Sequence, residues 1–248
     1  MKKLMFAAAV AAAGLAFGIE SANTVGYLNN NGTIAGLNMV APGFQDVGFT
    51  TTKLSGLKVT NASGGEVGTG TCVINLIDEI GNTLKSYSWA SQGRGTNKTW
   101  GWEENGTRVD DTVVFGRGVG LLFTAETAGD TVKSAGEVNL SSVTNSETVA
   151  GLNIVANPFP TSLKLNTLKV TTAAGGEVGT GTCVINLIDG IGNTLKSYSW
   201  ASQGRGTNKT WGWEENGVRV DDTVTFAPGQ AILFTAETAG DKLIIPAQ

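Results

Sequence analysis

The chain has 248 residues, of which 15% are charged, with a net charge of −4, 35 Gly, 5 Pro, 2 Cys and no His. Without His it lacks the usual general base and the imidazole metal ligand, which excludes Ser-His-Asp and Cys-His nucleophiles and His-ligated zinc. Two Cys cannot build a four-thiolate zinc site or a cysteine-ligated iron–sulfur cluster, so no cofactor is expected, and the acidic balance argues against nucleic acid as a partner.

Lys2 and Lys3 precede an Ala-rich apolar run over 4–17. That run is shorter than the roughly 20 residues a membrane-crossing helix needs, and it has the layout of a bacterial export signal. Small residues at Ala16 and Gly18 place cleavage after residue 18, with residue 22 as the less favourable site. No Cys follows the run, which argues against a lipid anchor, and no later segment is apolar enough to cross a membrane. The expectation is a signal helix at 1–18 and an exported protein of the periplasm, outer surface or extracellular space.

The rest of the chain is a duplication. Residues 64–130 align with 175–241 at a constant offset of 111, with eight differences, at 79, 107, 114, 116, 117, 119, 120 and 121. Residues 80–106 and 191–217 are identical. Upstream, 35–41 corresponds to 150–156. A unit of about 110 residues is the size of one domain, so the expected organisation is repeat 1 at 23–133 and repeat 2 at 134–248.

Each copy reads as β throughout. Short runs rich in Val, Ile, Thr and aromatics, separated by Gly, Asn and Asp, predict strands at 24–28, 37–41, 57–60, 71–77, 83–90, 99–103, 108–115 and 119–124. No amphipathic helix is expected after the signal. Many short strands with closely spaced turns predict two tandem antiparallel β-sandwich domains of jelly-roll or Ig-like type.

Four aromatic residues mark the strands flanking 91–98. Tyr87 and Trp89 share one face of the first strand, and Trp100 and Trp102 share one face of the next. Tyr198, Trp200, Trp211 and Trp213 repeat them. Paired across the loop, the rings fill a core, or they form a platform for sugar rings with Gln92, Arg94 (Arg205 in repeat 2), Asn97 and Glu103 as polar neighbours. Core packing is the simpler reading.

The acidic doublets Glu103-Glu104 and Asp110-Asp111, repeated as Glu214-Glu215 and Asp221-Asp222, have three readings: solvated strand ends, a calcium site or a glycosidase pair. Adjacent strand residues point to opposite faces, so neither doublet is itself a converging pair, and solvated ends are expected. Cys72 lies on one face with Ile74 and Leu76, so it and Cys183 are expected as buried free thiols, one per copy. The Gly-rich stretch 64–70 lacks the Gly-Lys-Ser/Thr ending of a phosphate loop and reads as a β connection.

Two edge motifs carry a resemblance. Gly151-Leu152-Asn153-Ile154-Val155-Ala156-Asn157-Pro158-Phe159-Pro160 comes early in repeat 2, and Ala227-Pro228-Gly229-Gln230-Ala231-Ile232-Leu233-Phe234 comes late. With the Trp-containing hairpin between them, they resemble uncharacterised exported all-β proteins and surface modules of Gram-negative bacteria. Repeat 1 departs from both, with Ala41-Pro42-Gly43-Phe44 and Gly116-Arg117-Gly118. The resemblance implies a β-sandwich displayed in the envelope or outside the cell, and it brings no catalytic residues. The function expected is structural or adhesive and not enzymatic, with self-association or a cell-surface glycan as partner. The alternative is a carbohydrate-binding module using the Trp/Tyr platform.

Overall fold

The computed structural model describes residues 25–30, 34–43, 51–78, 80–109, 111–138, 141–145, 148–189, 191–220 and 222–247; the expected signal segment lies outside them. The first half forms β1 (Val25–Asn30), β2 (Gly36–Val40), β3 (Thr51–Lys53), β4 (Lys58–Thr60), β5 (Val73–Ile77), β6 (Thr83–Gln92), β7 (Thr99–Glu104), β8 (Thr107–Arg108), β9 (Val114–Gly116), β10 (Leu121–Ala125) and β11 (Thr131–Glu137). The second half repeats the series as β12 (Val143–Asn145), β13 (Gly151–Ala156), β14 (Leu163–Lys164), β15 (Lys169–Thr171), β16 (Val184–Ile188), β17 (Thr194–Gln203), β18 (Thr210–Glu215), β19 (Val218–Arg219), β20 (Thr225–Phe226), β21 (Ala231–Ala236) and β22 (Lys242–Ile245). The fold is all-β. Among the described residues the only helical pieces are single 3-10 turns, such as Leu54–Gly56 and Leu165–Thr167.

Every described strand pair is antiparallel. The first half has a six-stranded sheet in the order β2-β10-β5-β6-β7-β8, a three-stranded sheet β1-β11-β4 and a small pair β3-β9. The second half has β13-β21-β16-β17-β18-β19, β12-β22-β15 and β14-β20. β11 stays paired with β1 as far as Glu137, and β12 begins at Val143 on β22. The change from one set of sheets to the other falls between them.

One expected strand is divided. Residues 108–115 split into β8, which extends the large sheet, and β9, which pairs with β3. The Val109 amide still bonds the Trp102 carbonyl, and the chain then turns so that the Val113 carbonyl accepts from Leu54. The sequence reads as one strand because valines stand on both sides of the polar 110–112, at 109, 113 and 114.

Each half has its own apolar core. In the first, Val59 of β4 and Val132 of β11 meet Ile74, Tyr87, Trp102 and Phe123 of the large sheet. Alternation is clean on β10, where Leu121, Phe123 and Ala125 are buried and Leu122 and Thr124 are partly exposed. The 3-10 turn between β3 and β4 drives Leu54 and Leu57 fully into the same core. The second half repeats the arrangement with Val170, Ile185, Tyr198, Trp213, Phe234 and Leu243.

The residues of the edge motifs pin loops. Gly151 has φ of 95°, a backbone that disfavours side chains, and starts β13. Asn153 folds back over it: its Oδ1 accepts from the Val149 amide at 2.9 Å, and its Nδ2 donates to the carbonyls of Val149 and Gly151. Gly36 and Asn38 repeat the device. Buried Asn157 donates to Thr161, Phe226 and Ala227 carbonyls, and Gln230 closes its own turn through Ala227.

The halves meet about an approximate two-fold axis. Val40 bridges Gln230, and Val119 bridges Val155, both antiparallel. These are equivalent contacts, because 119 aligns with 230 and 40 with 155. Ala41 donates to the Gly229 carbonyl and Ala156 to the Gly118 carbonyl, each at 2.8 Å. Gly81 lies against Leu152, and Gly192 against Leu37.

The pinning role of Asn153 sets an expectation for Asn153→Ala. Losing three hydrogen bonds in a partly exposed loop should lower stability by about 1–2 kcal/mol. Urea unfolding with an unchanged denaturant slope measures it.

Candidate functional site

The aromatic residues come together as the strand pairing demands. Trp89 of β6 stands directly opposite Trp102 of β7, Ser91 opposite Trp100, and Tyr87 opposite Ile74 of β5. The Trp89 and Trp102 rings meet edge to face, with centroids 5.2 Å apart at 63°, and Trp89 and Trp100 stack at 6.2 Å and 16°. Trp200, Trp211 and Trp213 reproduce the set.

The cluster faces inward. Tyr87, Trp102, Tyr198 and Trp213 are 1% exposed, and Trp89 and Trp200 are 6% exposed. The Trp102 indole N–H donates to the Leu57 carbonyl at 2.9 Å, and Trp213 donates to Leu168 at 3.1 Å. A sugar ring stacking on these six would need the open faces that packing has covered, so the geometry corrects the platform expectation for them. Only Trp100 and Trp211 keep partial exposure, at the rim of the core. Trp100 donates to Glu66 Oε1 at 2.9 Å, whereas the Trp211 N–H is buried without a partner.

The expected polar neighbours lie elsewhere. Gln92 donates to Glu103 Oε1 at 2.8 Å. Both belong to the strand positions that alternate with Trp89 and Trp102, so they lie on the sheet's other face. Arg94 and Arg205 are exposed, each at the head of a loop with a single 3-10 turn. The structure does not gather arginine, carboxylate and rings into one pocket.

The carboxylates are engaged in pairs with cations. Glu103 and Glu214 lie beside Arg108 and Arg219, and Glu104 and Glu215 beside Lys85 and Lys196. Asp111 meets Lys53 and Ser55, and Asp222 meets Lys164. Asp110 and Asp221 lie outside the described residues. Among the described residues no group of three acidic or thiol side chains converges on a metal-sized position.

The two arginines were not legible as special. Arg108 lays its guanidinium across the sheet, donating to the carbonyls of Ala90 and Thr99. Gly101 leaves the room for it, since a Cβ there would lie 2.7 Å from Arg108 Nη1. Arg219 repeats this over Gly212 with Ala201 and Thr210. The available signal was the Gly between two Trp, opposite an edge strand ending in Arg.

Both cysteines are free and buried. Burial pushes the Cys72 thiol up to about 11, with the Asp130 carboxylate adding to the rise, and Cys183 moves the same way beside Asp241. A thiol held protonated is a poor nucleophile. An open cleft of about 610 Å³ lies between the halves, lined by Asn75, Ile77 and Leu84 on one side and Thr144, Leu152 and Asn153 on the other. Among the described residues no helix is long and apolar enough to cross a membrane. Comparison of the chain with protein-family models, curated proteins and solved structures gives no match in any of the three.

Two measurements check this packing. Trp102→Ala or Trp213→Ala should each cost about 3–5 kcal/mol in equilibrium unfolding, with a smaller loss for Trp100→Ala at the rim. The Cys72 thiol has a folded pKa above its ordinary 9.0, so the folded state holds its proton longer than the unfolded state. Its contribution is complete below pH 9 and is lost as pH rises toward about 11. Stability curves across that window should slope downward less steeply for Cys72→Ala than for the natural chain.

Proposed function

We propose that the chain is an exported, non-catalytic structural or adhesive component of the cell envelope or extracellular space, built from two duplicated β-sandwich domains. The observation that carries this reading is where the reactive side chains go. The aromatic rings fill cores, the thiols are buried and protonated, and the described doublet carboxylates, Glu103, Glu104 and Asp111 with their counterparts, lie beside Lys and Arg. What remains outward is dominated by Thr, Ser, Asn and Gly, together with exposed apolar residues on the hairpins of both halves, Ile80 and Leu84 and their equivalents Ile191 and Leu195. Such surfaces suit contact with other molecules. The Lys-rich start and apolar run at 4–17 support export through a Sec-type signal.

Two contact surfaces on one chain raise avidity for any repetitive target. Purified 19–248 should co-sediment with isolated cell-wall material or form larger species as concentration rises in sedimentation velocity. A monomer that stays in the supernatant at high concentration would remove the reading.

A further inference from the structure

Over 64–130 and 175–241 the two copies are almost identical, yet their differences there are not scattered. Six of the eight fall within 114–121, where Val114, Gly116, Arg117, Val119, Gly120 and Leu121 face Thr225, Ala227, Pro228, Gln230, Ala231 and Ile232 in the alignment. This same segment makes the junction between halves: Val119 bridges Val155, the Gly118 carbonyl accepts from Ala156, and the Gly120 amide donates to the Ile154 carbonyl at 2.8 Å.

Gly120 sits where nothing larger fits. A Cβ there would lie 2.5 Å from Ile154 Cγ2 and 2.8 Å from the Ala231 methyl, both across the junction. Ile154 is β-branched and cannot swing Cγ2 away without leaving its rotamer. On the opposite side of the approximate axis the sizes are reversed. Ala231 is buried, and the residue equivalent to Ile154 is Met39, whose unbranched chain packs against the Ala41, Ala156 and Ala231 cluster. Arg117 adds a second one-sided contact, its guanidinium 5.2 Å over the Phe159 ring, where the other copy has Pro228.

We propose that these positions form a pairing code: Gly120 against Ile154, and Ala231 against Met39, make the partner of each half the other half of the same chain and not an identical half. Two second-repeat surfaces brought together in this way would set Ala231 against Ala231 and Ile154, the contact Gly120 avoids. Two first-repeat surfaces would leave Gly120 against Gly120 and Met39, with a gap on the axis. Only the mixed pair fills the junction without overlap. The inference is independent of what the outer surfaces bind.

Amide hydrogen exchange on the full chain reads the junction directly. The amides of Ala41, Gly120 and Ala156, which donate between halves, should be protected to the same degree at high and low concentration. Gly120→Ala should speed their exchange by at least ~10-fold, with the core amides of Trp89 and Trp200 unchanged. Adding Ile154→Ala and Ala231→Gly to Gly120→Ala should restore protection. If Gly120→Ala also exposes the core amides, that triple variant decides, recovery supporting the code and continued exposure overturning it. Loop-like exchange at the three amides in the natural chain would overturn it. So would protection that falls on dilution, which assigns the pairing to a second copy, or exchange in Gly120→Ala that matches the natural chain.

Discussion

The indole N–H groups of Trp102 and Trp213 each reach a backbone acceptor across the core, and that bond ties each half together. Trp102 lies fully inside the first core and donates to the carbonyl of Leu57, on the turn that feeds the small sheet. The bulkiest fully buried side chain of the six-stranded sheet is thereby anchored to the backbone of the opposing layer. Trp89 packs on it edge to face, Trp100 stacks on Trp89, and the pairing of β6 with β7 follows from their meeting. The second half depends on Trp213 and Leu168 in the same way. Loops pinned by Asn153, Asp241 and their counterparts then close a frame that the aromatic cluster has already oriented.

This internal use of chemistry decides how the molecule presents itself. The face of β6 opposite the rings carries Ser86 and Ser88, and Arg108 clasps carbonyls there instead of reaching outward. The thiols and most charged groups are likewise turned to holding the frame. The outward surface is left to neutral polar loops and to hairpin tips with exposed apolar residues.

Legibility in the sequence followed periodicity. Alternation is strict over 99–103 and sets Tyr87 and Trp89 on one face of 83–90, so pairing across 91–98 is enough to bring these rings together. The corner at 109–113 was hidden because valines flank its polar residues on both sides, and β3 was hidden because three residues carry no period. Whether the rings faced core or solvent was open, since alternation defines two faces without saying which one is covered. The clustering of differences at 114–121 is legible in the sequence itself. Its meaning required the packing of Gly120 on Ile154, a contact between residues of separate repeats that no local pattern encodes.

The identity of 80–106 with 191–217 bears on how the chain reaches this state. As the polypeptide collapses, β5 meets two hairpins with the same letters, and zipping onto the wrong one would satisfy every local rule. Tandem copies this alike are prone to such crossed assembly. Order must then come from proximity along the chain, since β5 and β6 are joined by only a tight turn around Gly81 and Asn82, and closing a short loop is entropically cheaper than closing one that spans a whole repeat.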